Sequence, residues 1–416
     1  MPADGHGRAF VPERMPPVPV PKVYEQVTSP LENGEDVRHA LASLLAAGRE
    51  RFLLWRNKLL MDARFQRFAA WFPLTRPLAN KKASALFDIC GGFIYSQVLY
   101  AAVELELFSA LADAPKPIAD LSKTLNFPED GLTRLLKAGA ALDLFADLGD
   151  GRFTLGELGA AYMANASVGD MVRHHIHLYR DLEDPLALLK NRHADTHLGQ
   201  YWRYANDAGR QALSAESVEE STVYSRLMAS TQDFVTEEVI NAYDFSGHKQ
   251  IMDVGGGSGR FLSAALASAP SAHGVLFDLP SVTPLAEAQF KSKGIRDRAR
   301  TVAGNFFQDP LPDGADLITL VRILHDHDDS DALALLRACR AVLAPGNKLM
   351  IAEPLAETQG ARPMGDGYFG IYLWAMGSGR PRTFGEYVDL LKTAGFRTIR
   401  RKPTRRPILC QVVLAE

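Results

Sequence analysis

Hydrophobic and polar positions alternate in blocks along the last part of the chain, residues 246–416. Short apolar runs of strand length are each followed by a polar or glycine-rich turn and then by a run with helical spacing. These apolar runs begin at Lys249, Val275, Val302, Asp316 and Lys348. Strands that alternate with helices are typical of an open, mostly parallel sheet with helices on both faces. The pattern therefore predicts an α/β domain over residues 246–416.

The first 245 residues have a different pattern, in which helical spacing dominates. Residues 1–33 are rich in proline and have little apolar periodicity, which predicts a disordered or extended arm. Residues 34–82 have the spacing of helices that carry basic and aromatic side chains. Residues 83–170 contain two helical patterns followed by a hairpin with an Asp-Gly turn, which is a winged-helix pattern. Residues 171–245 are predicted to form a helical linker that also contributes to a substrate pocket.

A glycine-rich turn over Asp253–Gly259, with the sequence DVGGGSG, separates the first predicted strand of the α/β domain from a predicted helix. In open α/β sheets such a turn binds a nucleotide-like ligand, because glycine lets the backbone approach it closely. A dinucleotide-binding loop would have its last glycine where Arg260 stands. Gly-x-Gly-x-Gly after an acid is instead the pattern of S-adenosylmethionine (SAM) methyltransferases. Asp253, Gly255 and Gly257 are therefore candidate cofactor-binding residues, although glycine-rich turns also occur without a ligand.

Two further polar residues follow predicted strands at the edge where open sheets bind ligands. Asp278 stands about twenty residues after the glycine turn, where an acid holds ribose hydroxyls in such folds. The alternative for Asp278 is a cap on the next helix. His325 follows a later strand, and an imidazole with an ordinary pKa near ~6.5 is suited to accept a proton from an alcohol at neutral pH. The alternative is a loop histidine before an N-capping Asp326 or Asp328.

Four ordered motifs, Asp-Val-Gly-Gly-Gly, Phe-Asp-Leu-Pro, Gly-Asn-Phe-Phe and Leu-His-Asp, give residues 85–416 a specific resemblance. This part of the chain resembles the SAM-dependent O-methyltransferase family, which includes plant caffeic acid methyltransferase and acetylserotonin methyltransferase. The resemblance implies a Rossmann-like, seven-stranded C-terminal domain with SAM as the cofactor. It also implies an N-terminal α-helical winged-helix domain that makes the protein a homodimer and covers the substrate pocket.

The resemblance implies particular roles in cofactor binding. Asp278 would hold the ribose of SAM, and Asn305 and Phe306 would lie at its adenine. The family more often has Asp where Asn305 stands, although an amide can still pair with the adenine amine. Arg322 matches a Lys or Arg position near the cofactor.

The resemblance also implies a catalytic base. His325 matches that base, and Glu353, at the end of the strand that begins at Lys348, matches the glutamate that orients it. A second flanking glutamate of the plant enzymes would fall at Pro381, so one half of the usual pair of carboxylates is absent. His327 stands where the family usually has Trp, and no chemistry is assigned to it.

A narrower resemblance concerns the substrate. Residues 64–77 and 93–99 are similar to the hydroxyneurosporene (demethylspheroidene) O-methyltransferases of purple photosynthetic bacteria. This similarity implies methylation of the tertiary hydroxyl of an acyclic carotenoid. The aromatic residues between Tyr368 and Met376 would suit a polyene or a flat phenol, and are also typical of a helix core. Two alternatives are a phenolic or tetrapyrrole substrate and a family member that binds SAM without transferring its methyl group.

Aromatic and basic residues interleave over residues 51–82, a composition that suits a membrane surface with the cations toward the headgroups. The alternative is a set of helices packed on the protein itself or on a partner subunit. We expect a cytoplasmic protein, peripheral on the inner or photosynthetic membrane if these helices bind lipid. No apolar run reaches transmembrane length, and no signal peptide is expected.

The net charge of −3 and the pI near 6.4 argue against a general nucleic-acid-binding protein. Arg134 and Lys137 alone make the second helix of the winged-helix pattern basic, too few charges for a phosphate-binding surface. A DNA-binding regulator is therefore a minor alternative, and no nucleic-acid partner is expected.

Cysteines and histidines give no sign of a metal site. The three cysteines, at positions 90, 339 and 410, are far apart, which favours a reducing compartment. His174, His175 and His177 are clustered, but His175 is expected to face away from the other two on a helix. No Cys or carboxylate completes a ligand set. Histidines on the surface or lining the pocket are the favoured interpretation.

Overall fold

The computed structural model describes residues 34–165, 168–192, 195–202 and 232–416. The arm expected over residues 1–33 lies outside the described residues, as does much of the expected linker between 203 and 231. The chain divides into two compact units, Met1–Gly92 and Phe93–Glu416.

The described part of the first unit is helical, as expected for residues 34–82. Helix α1 (Gly34–Met61) is followed by α2 (Ala63–Trp71) and by α3 (Arg76–Glu104), which continues into the second unit. Asp62 separates the first two helices, because its Oδ1 accepts hydrogen bonds from the backbone N–H groups of the first turn of α2. The domain boundary expected after residue 82 lies inside α3.

Helix α3 is long and apolar enough to cross a membrane by length and composition alone, and 17% of its most apolar window is buried. The expectation that no segment reaches transmembrane length is therefore wrong. Polar and glycine residues such as Asp88, Gly91 and Ser96 interrupt the apolar run, so the run looks short although the hydropathy averaged along the helix is high.

Residues 93–163 of the second unit contain the predicted winged-helix pattern. Strand β3 pairs with β1 on one side and with β2 on the other, all antiparallel. Leu121, Leu132, Leu136, Phe145 and Phe153 lie in one buried cluster between the helices and this small sheet. The elements are α4 (Leu107–Ala110), β1 (Lys116–Pro117), α5 (Ile118–Leu125), α6 (Glu129–Ala141), β2 (Phe145–Asp147), β3 (Arg152–Leu155) and α7 (Glu157–Met163).

Helices follow this domain and precede the sheet domain in the described part of residues 168–245. They are α8 (Val168–Asp181), α9 (Pro185–Lys190), α10 (His197–Tyr201) and α11 (residues 232–242).

The sheet domain has the predicted seven strands, in the order β6-β5-β4-β7-β8-β10-β9. The first five of these strands are parallel, and β10 is antiparallel to both of its neighbours. The strands are β4 (Gln250–Val254), β5 (His273–Asp278), β6 (Ala299–Ala303), β7 (Leu317–Val321), β8 (Lys348–Glu353), β9 (Ile399–Lys402) and β10 (Gln411–Ala415). The helices are α12 (Arg260–Ser268), α13 (Thr283–Ser292), α14 (Asp329–Val342), α15 (Phe369–Met376) and α16 (Phe384–Thr393).

Both faces of this sheet are buried. Met252 and Ile318 lie in the apolar cluster on one face, whereas Ile251 and Leu317 lie in the cluster on the other. Because successive side chains of a strand point to opposite faces, continuous apolar runs fill both layers. Strand β4 pairs with both β5 and β7, so the chain order reverses beside it, and the glycine turn follows β4 at this switch point.

Candidate active site

The glycine turn after β4 has backbone φ angles that residues with a side chain rarely adopt. Gly255, Gly257 and Gly259 have φ angles of 71°, 58° and 74°. A Cβ at Gly255 would lie 2.6 Å from Ile323, whereas a Cβ at Gly257 would meet nothing within 4 Å. The turn is therefore closed toward β7 and open at Gly257, where a ligand has access to the backbone.

Asp253 lies beneath this turn and is 1% exposed. Its Oδ1 accepts a hydrogen bond of 2.7 Å from the Thr319 hydroxyl, whereas no donor among the described residues contacts its Oδ2. Burial, opposed by Thr319 and reinforced by the charge of Asp278, raises the pKa of Asp253 to about 7. A buried acceptor without a donor, beside an open glycine turn, fits a ligand that brings a positive charge or a hydrogen-bond donor.

Asp278, at the end of β5, ties the turn to the neighbouring strand. Its Oδ2 accepts from Gly257 N at 2.8 Å, and its Oδ1 accepts from Leu279 N at 2.7 Å. Burial raises the pKa of Asp278, and the two backbone N–H groups oppose that rise. Each carboxylate oxygen keeps a lone pair. The two oxygens can therefore accept from vicinal ribose hydroxyls, as the resemblance to SAM enzymes implies.

Asn305 and Phe306 follow β6 at the same edge of the sheet. The amide oxygen of Asn305 accepts from Phe307 N at 3.0 Å and stabilises the turn. The ring of Phe306 lies edge-on to Phe307, with centroids 4.6 Å apart, and to His327, with centroids 5.7 Å apart. His327, which stands where the family usually has Trp, thus contributes to the aromatic cluster that borders the predicted adenine site.

Arg322 leaves β7 in a left-handed backbone conformation, with φ 59°, which is uncommon for a residue with a side chain. Burial raises the pKa of Tyr368 and the neighbouring carboxylates raise that of His325, and the charge of Arg322 opposes both rises. Arg322 is therefore electrostatically coupled to His325, and backbone strain of this kind is found at functional sites.

His325 lies in a single 3₁₀ turn, Leu324–Asp326, directly after β7, and is 4% exposed. Its Nδ1 donates a hydrogen bond to Glu353 Oε2. Glu353, the last residue of β8, is fully buried, and its Oε1 accepts from the backbone N–H groups of Ile323 and Leu324 at 2.9 and 2.8 Å. One carboxylate thus fixes both the ring and the backbone that carries it. This arrangement leaves Nε2 as the nitrogen that can accept a proton.

Asp326 supplies a second carboxylate that the sequence analysis considered only as a helix cap. Its Oδ1 lies 3.2 Å from Nε2 of His325. Burial acts to lower the pKa of His325, but the charges of Asp326 and Glu353 and the hydrogen bond to Glu353 outweigh it, and the pKa is raised. The glutamate expected at Pro381 is absent, yet the imidazole has a carboxylate at each nitrogen. In the sequence, only the position of Asp326 next to His325 indicated this second carboxylate partner.

The aromatic segment between Tyr368 and Met376 divides into two groups. Tyr372 and Met376 are buried in a core cluster with residues of α8–α10, as expected of ordinary helix core. Phe369 lies edge-on to His325, with ring centroids 5.7 Å apart. This part of the segment therefore borders the base.

The histidines of α8 have partners that the sequence analysis missed. His174 Nε2 lies 2.7 Å from the Tyr372 hydroxyl, which also accepts from Trp202 Nε1 at 2.9 Å, and His175 Nε2 lies 2.8 Å from the Tyr368 hydroxyl. Burial lowers the pKa of His174 to about 3 and that of His175 to about 4, so both are neutral. The rings of His174 and His177 have centroids 5.6 Å apart, whereas His175 bonds to a different tyrosine, one helical turn from that of His174, so His175 faces away from the other two as expected. Within the described ranges, no cluster of three His, Cys, Asp or Glu residues could hold a metal ion.

Comparison with known proteins identifies the family. Residues 179–397 match the O-methyltransferase domain, and residues 87–165 match the O-methyltransferase dimerisation domain. The demethylspheroidene O-methyltransferase of Cereibacter sphaeroides is 39% identical over 86% of this chain and 93% of its own length. The enzyme of the same name from Rhodobacter capsulatus is 37% identical over 90% of this chain and 92% of its own length.

A solved structure supports the same fold. The solved structure of LaPhzM superimposes with a TM-score of 0.67 and 29% identity, over 80% of this chain and 98% of its own length. The cofactor of this family is SAM, and the open glycine turn, the unpaired Oδ2 of Asp253 and the carboxylate of Asp278 fit a cationic ligand that carries a ribose. The chain belongs to the SAM-dependent O-methyltransferase family and carries the dimerisation domain of that family.

Proposed function

We propose that this O-methyltransferase acts on the tertiary hydroxyl of an acyclic hydroxycarotenoid, of the hydroxyneurosporene or demethylspheroidene type, and that it works as a homodimer. The observation that carries the substrate is the similarity, over most of the chain, to two enzymes named demethylspheroidene O-methyltransferase. The half-buried aromatic rings of Tyr368 and Phe369 next to His325 suit a flat, apolar acceptor.

His325 is the proposed general base. When bound, SAM supplies the electrophilic methyl group. A tertiary alcohol is a far weaker acid than a phenol, so its proton leaves during methyl transfer rather than before it. Nε2 of His325 accepts that proton, while Glu353 holds the proton on Nδ1 and stabilises the imidazolium that forms. Arg322 opposes the charge on His325, and the carboxylate of Asp326 balances it.

Glu353 also favours methyl transfer over simple SAM binding. Burying a carboxylate is costly, and Glu353 offsets that cost by bonding to an imidazole and to two backbone N–H groups. These bonds also fix the orientation of the imidazole, which proton transfer requires. A family member that only binds SAM has no use for this arrangement. Asp253, Asp278, Asn305, Phe306 and Arg322 are the residues proposed to hold the cofactor.

The test is incubation of the purified protein with methyl-labelled SAM and three separate acceptors. These are an acyclic carotenoid with a tertiary hydroxyl, the same carotenoid without the hydroxyl, and a phenol. We expect label only in the first, as a methyl ether identified by mass spectrometry. Label in the phenol alone would support the phenolic alternative, and no label in any acceptor would support SAM binding without transfer.

We also propose that residues 51–82 bind the enzyme to an anionic membrane, where it would be peripheral on the inner or photosynthetic membrane. Over these residues eight lysines and arginines accompany one aspartate, a net charge of +7, whereas the remainder of the chain carries −10. Trp55, Phe68, Trp71 and Leu74 are exposed among these charges, Leu74 by 83%. Exposed aromatic side chains beside cations suit the interface between headgroups and acyl chains.

Flotation with anionic liposomes tests this proposal. Replacing Arg56, Lys58, Arg64 and Arg67 with Gln should weaken liposome binding and leave SAM affinity unchanged, and added salt should weaken the native interaction. The matched control replaces four exposed cations of the sheet domain, Arg400, Arg401, Lys402 and Arg405, and should bind as the native protein does. Flotation that ignores both salt and the first set of replacements would instead support helices that pack on a partner subunit.

A further inference from the structure

A buried arginine lies behind the loop that carries His325. Arg382 has no exposed surface, and its Nη1 and Nη2 donate to the carbonyl oxygens of Leu324 and His327 at 2.6 and 2.7 Å. Its Nε donates to Asp329 Oδ1 at 2.8 Å. The two carbonyls flank His325 in the chain, so one rigid guanidinium spans the 3₁₀ turn of the base.

Residues close to Arg382 in the chain donate hydrogen bonds to the two carbonyl groups that lie between those of Leu324 and His327. Arg380 N donates to the carbonyl of His325 at 2.9 Å, and the Ser378 hydroxyl donates to that of Asp326 at 2.9 Å. Gly379 lies so close that a Cβ there would be 2.0 Å from the carbonyl of His325. All four carbonyls of residues 324–327 therefore accept hydrogen bonds from the segment 378–382, which we call the carbonyl clamp.

The clamp includes Pro381, the position at which the resemblance to the plant enzymes would place a second glutamate beside His325. In this chain the segment touches the base through the backbone of its loop and not through a carboxylate. Glu353 holds the same loop from the opposite side, through its N–H groups. The loop thus has its donors bound by β8 and its acceptors bound by the clamp, which leaves it little freedom to shift.

The energetic cost of burying a charged side chain indicates that Arg382 contributes most among the residues of the carbonyl clamp. A guanidinium without exposed surface is unfavourable unless its donors are bound, and the only carboxylate that bonds to it among the described residues, Asp329, is half exposed. The planar fork of arginine bonds two acceptors at fixed separation, which the ammonium of lysine does not do. The hydrogen bonds of Arg382 therefore set the distance between Leu324 and His327.

We propose that Arg382 is a positioning residue that holds the imidazole of His325 at the distance and angle that proton transfer requires. This inference rests on the proposed role of His325 as the base. Arg382 is fully buried behind the loop and acts through the backbone of the turn.

The experiment compares Arg382→Lys with a matched variant, Arg298→Lys. Arg298 also donates to backbone carbonyls, those of Ala269 and Ala272, on a part of the sheet domain that includes no residue of the site. Arg382→Lys should lower kcat by about 10²-fold, the usual consequence of a displacement near 1 Å at a reacting group. The SAM dissociation constant should not change, and the acid limb of the kcat profile should move to lower pH as the carboxylates around His325 loosen. Arg298→Lys should change neither kcat nor the pH profile.

Ser378→Ala keeps the inference testable if Arg382→Lys does not fold. It removes one neutral hydrogen bond to the loop, so kcat should fall by about fivefold with the same direction of pH shift. If His325→Ala is inactive but both clamp variants keep native kcat and pH profiles, the positioning role is wrong and the base assignment stands. If His325→Ala remains active, the base assignment itself is wrong.

Discussion

Glu353 and Asp253 are both buried carboxylates at the carboxyl ends of strands of one sheet, and they differ in their partners. Both oxygens of Glu353 accept hydrogen bonds, from Ile323, Leu324 and His325, whereas Oδ2 of Asp253 has no donor among the described residues. The region around His325, the proposed base, therefore has its hydrogen bonds formed within the protein. The proposed cofactor region has a buried acceptor for which SAM could supply the partner.

This difference bears on the free energy of SAM binding. Buried polar atoms without partners destabilise the free protein, so a ligand that brings the missing donor gains the affinity that the protein forgoes. If His325 is the base for a weakly acidic alcohol, as proposed, it has to be oriented before the substrate arrives, and the hydrogen bonds that the fold gives it agree with that role.

The comparison is tested most strongly by His325→Ala. The change removes the acceptor of the substrate proton and should lower kcat by a factor of about 10² to 10⁴, the range for a positioned base. SAM affinity, measured by calorimetry, should be unchanged. His273→Ala, at an exposed histidine at the start of β5, is the control and should leave kcat unaltered. Near-native turnover of His325→Ala would mean that positioning alone drives the reaction.

Glu353→Gln tests the orientation of the base and should lower kcat by about 10²- to 10³-fold, because the wrong tautomer is favoured. It also has a pH signature. The base acts as neutral imidazole, and its pKa is raised above the ordinary value of 6.5, so activity rises with pH above that value. Without the charge of Glu353 that pKa falls, and the acid limb of kcat/KM should move to lower pH. An unmoved limb would show that Glu353 does not couple to the titrating group.

Asp278→Ala tests the cofactor region. Hydrogen bonds to a charged group contribute about 1.5–3 kcal/mol each, so loss of the carboxylate should raise the dissociation constant of SAM by about 10²-fold or more. Calorimetry on the folded variant measures this, and Asp297→Ala, at an exposed aspartate on the loop before β6, is the control. Unchanged affinity in Asp278→Ala would remove this residue from the site.

Asp253→Asn should have the smallest effect, on the stability of the protein without SAM. The carboxyl has an ordinary pKa of 3.8 in the unfolded chain and about 7 when folded, so the folded state holds its proton longer. Its contribution therefore makes stability fall as the pH rises from about 4 to about 7. The variant lacks this decline. Between pH 5 and pH 8 its melting temperature should therefore change more favourably than that of the native protein, by a few degrees. An identical pH dependence in both proteins would show that Asp253 is already ionised in the fold.

Much of the sheet domain was predictable because its signals are local. Apolar runs of strand length, each with a polar residue at its carboxyl end, predicted β4, β5, β7 and β8 and placed Asp278 and Glu353 at the ligand edge. The glycine spacing after Asp253 predicted the turn and, with the resemblance to a known family, the cofactor. The winged-helix pattern was equally local, because an Asp-Gly turn between two short strands specifies a hairpin.

Partners far apart in the chain were not predictable in this way. His174 bonds to Tyr372, 198 residues away, and His175 to Tyr368, 193 residues away, so spacing within α8 gave no sign of either pair. The same holds for Arg382, which a sequence pattern would place on the surface with other arginines. Its burial follows from the return of the chain to the base loop.

The sequence by itself determined the alternation of strands and helices from Lys249 to Glu353 and the residue types at the ligand edge, and through its motifs the resemblance to a family and its cofactor, because these depend on periodicity and on spacing within a few residues. Only the tertiary structure decided which oxygens of Glu353 and Asp253 are bound, that Asp326 faces His325 Nε2, and that four carbonyls of the base loop are clamped. These features depend on hydrogen-bond contacts between segments that meet only when the sheet and its helices have packed.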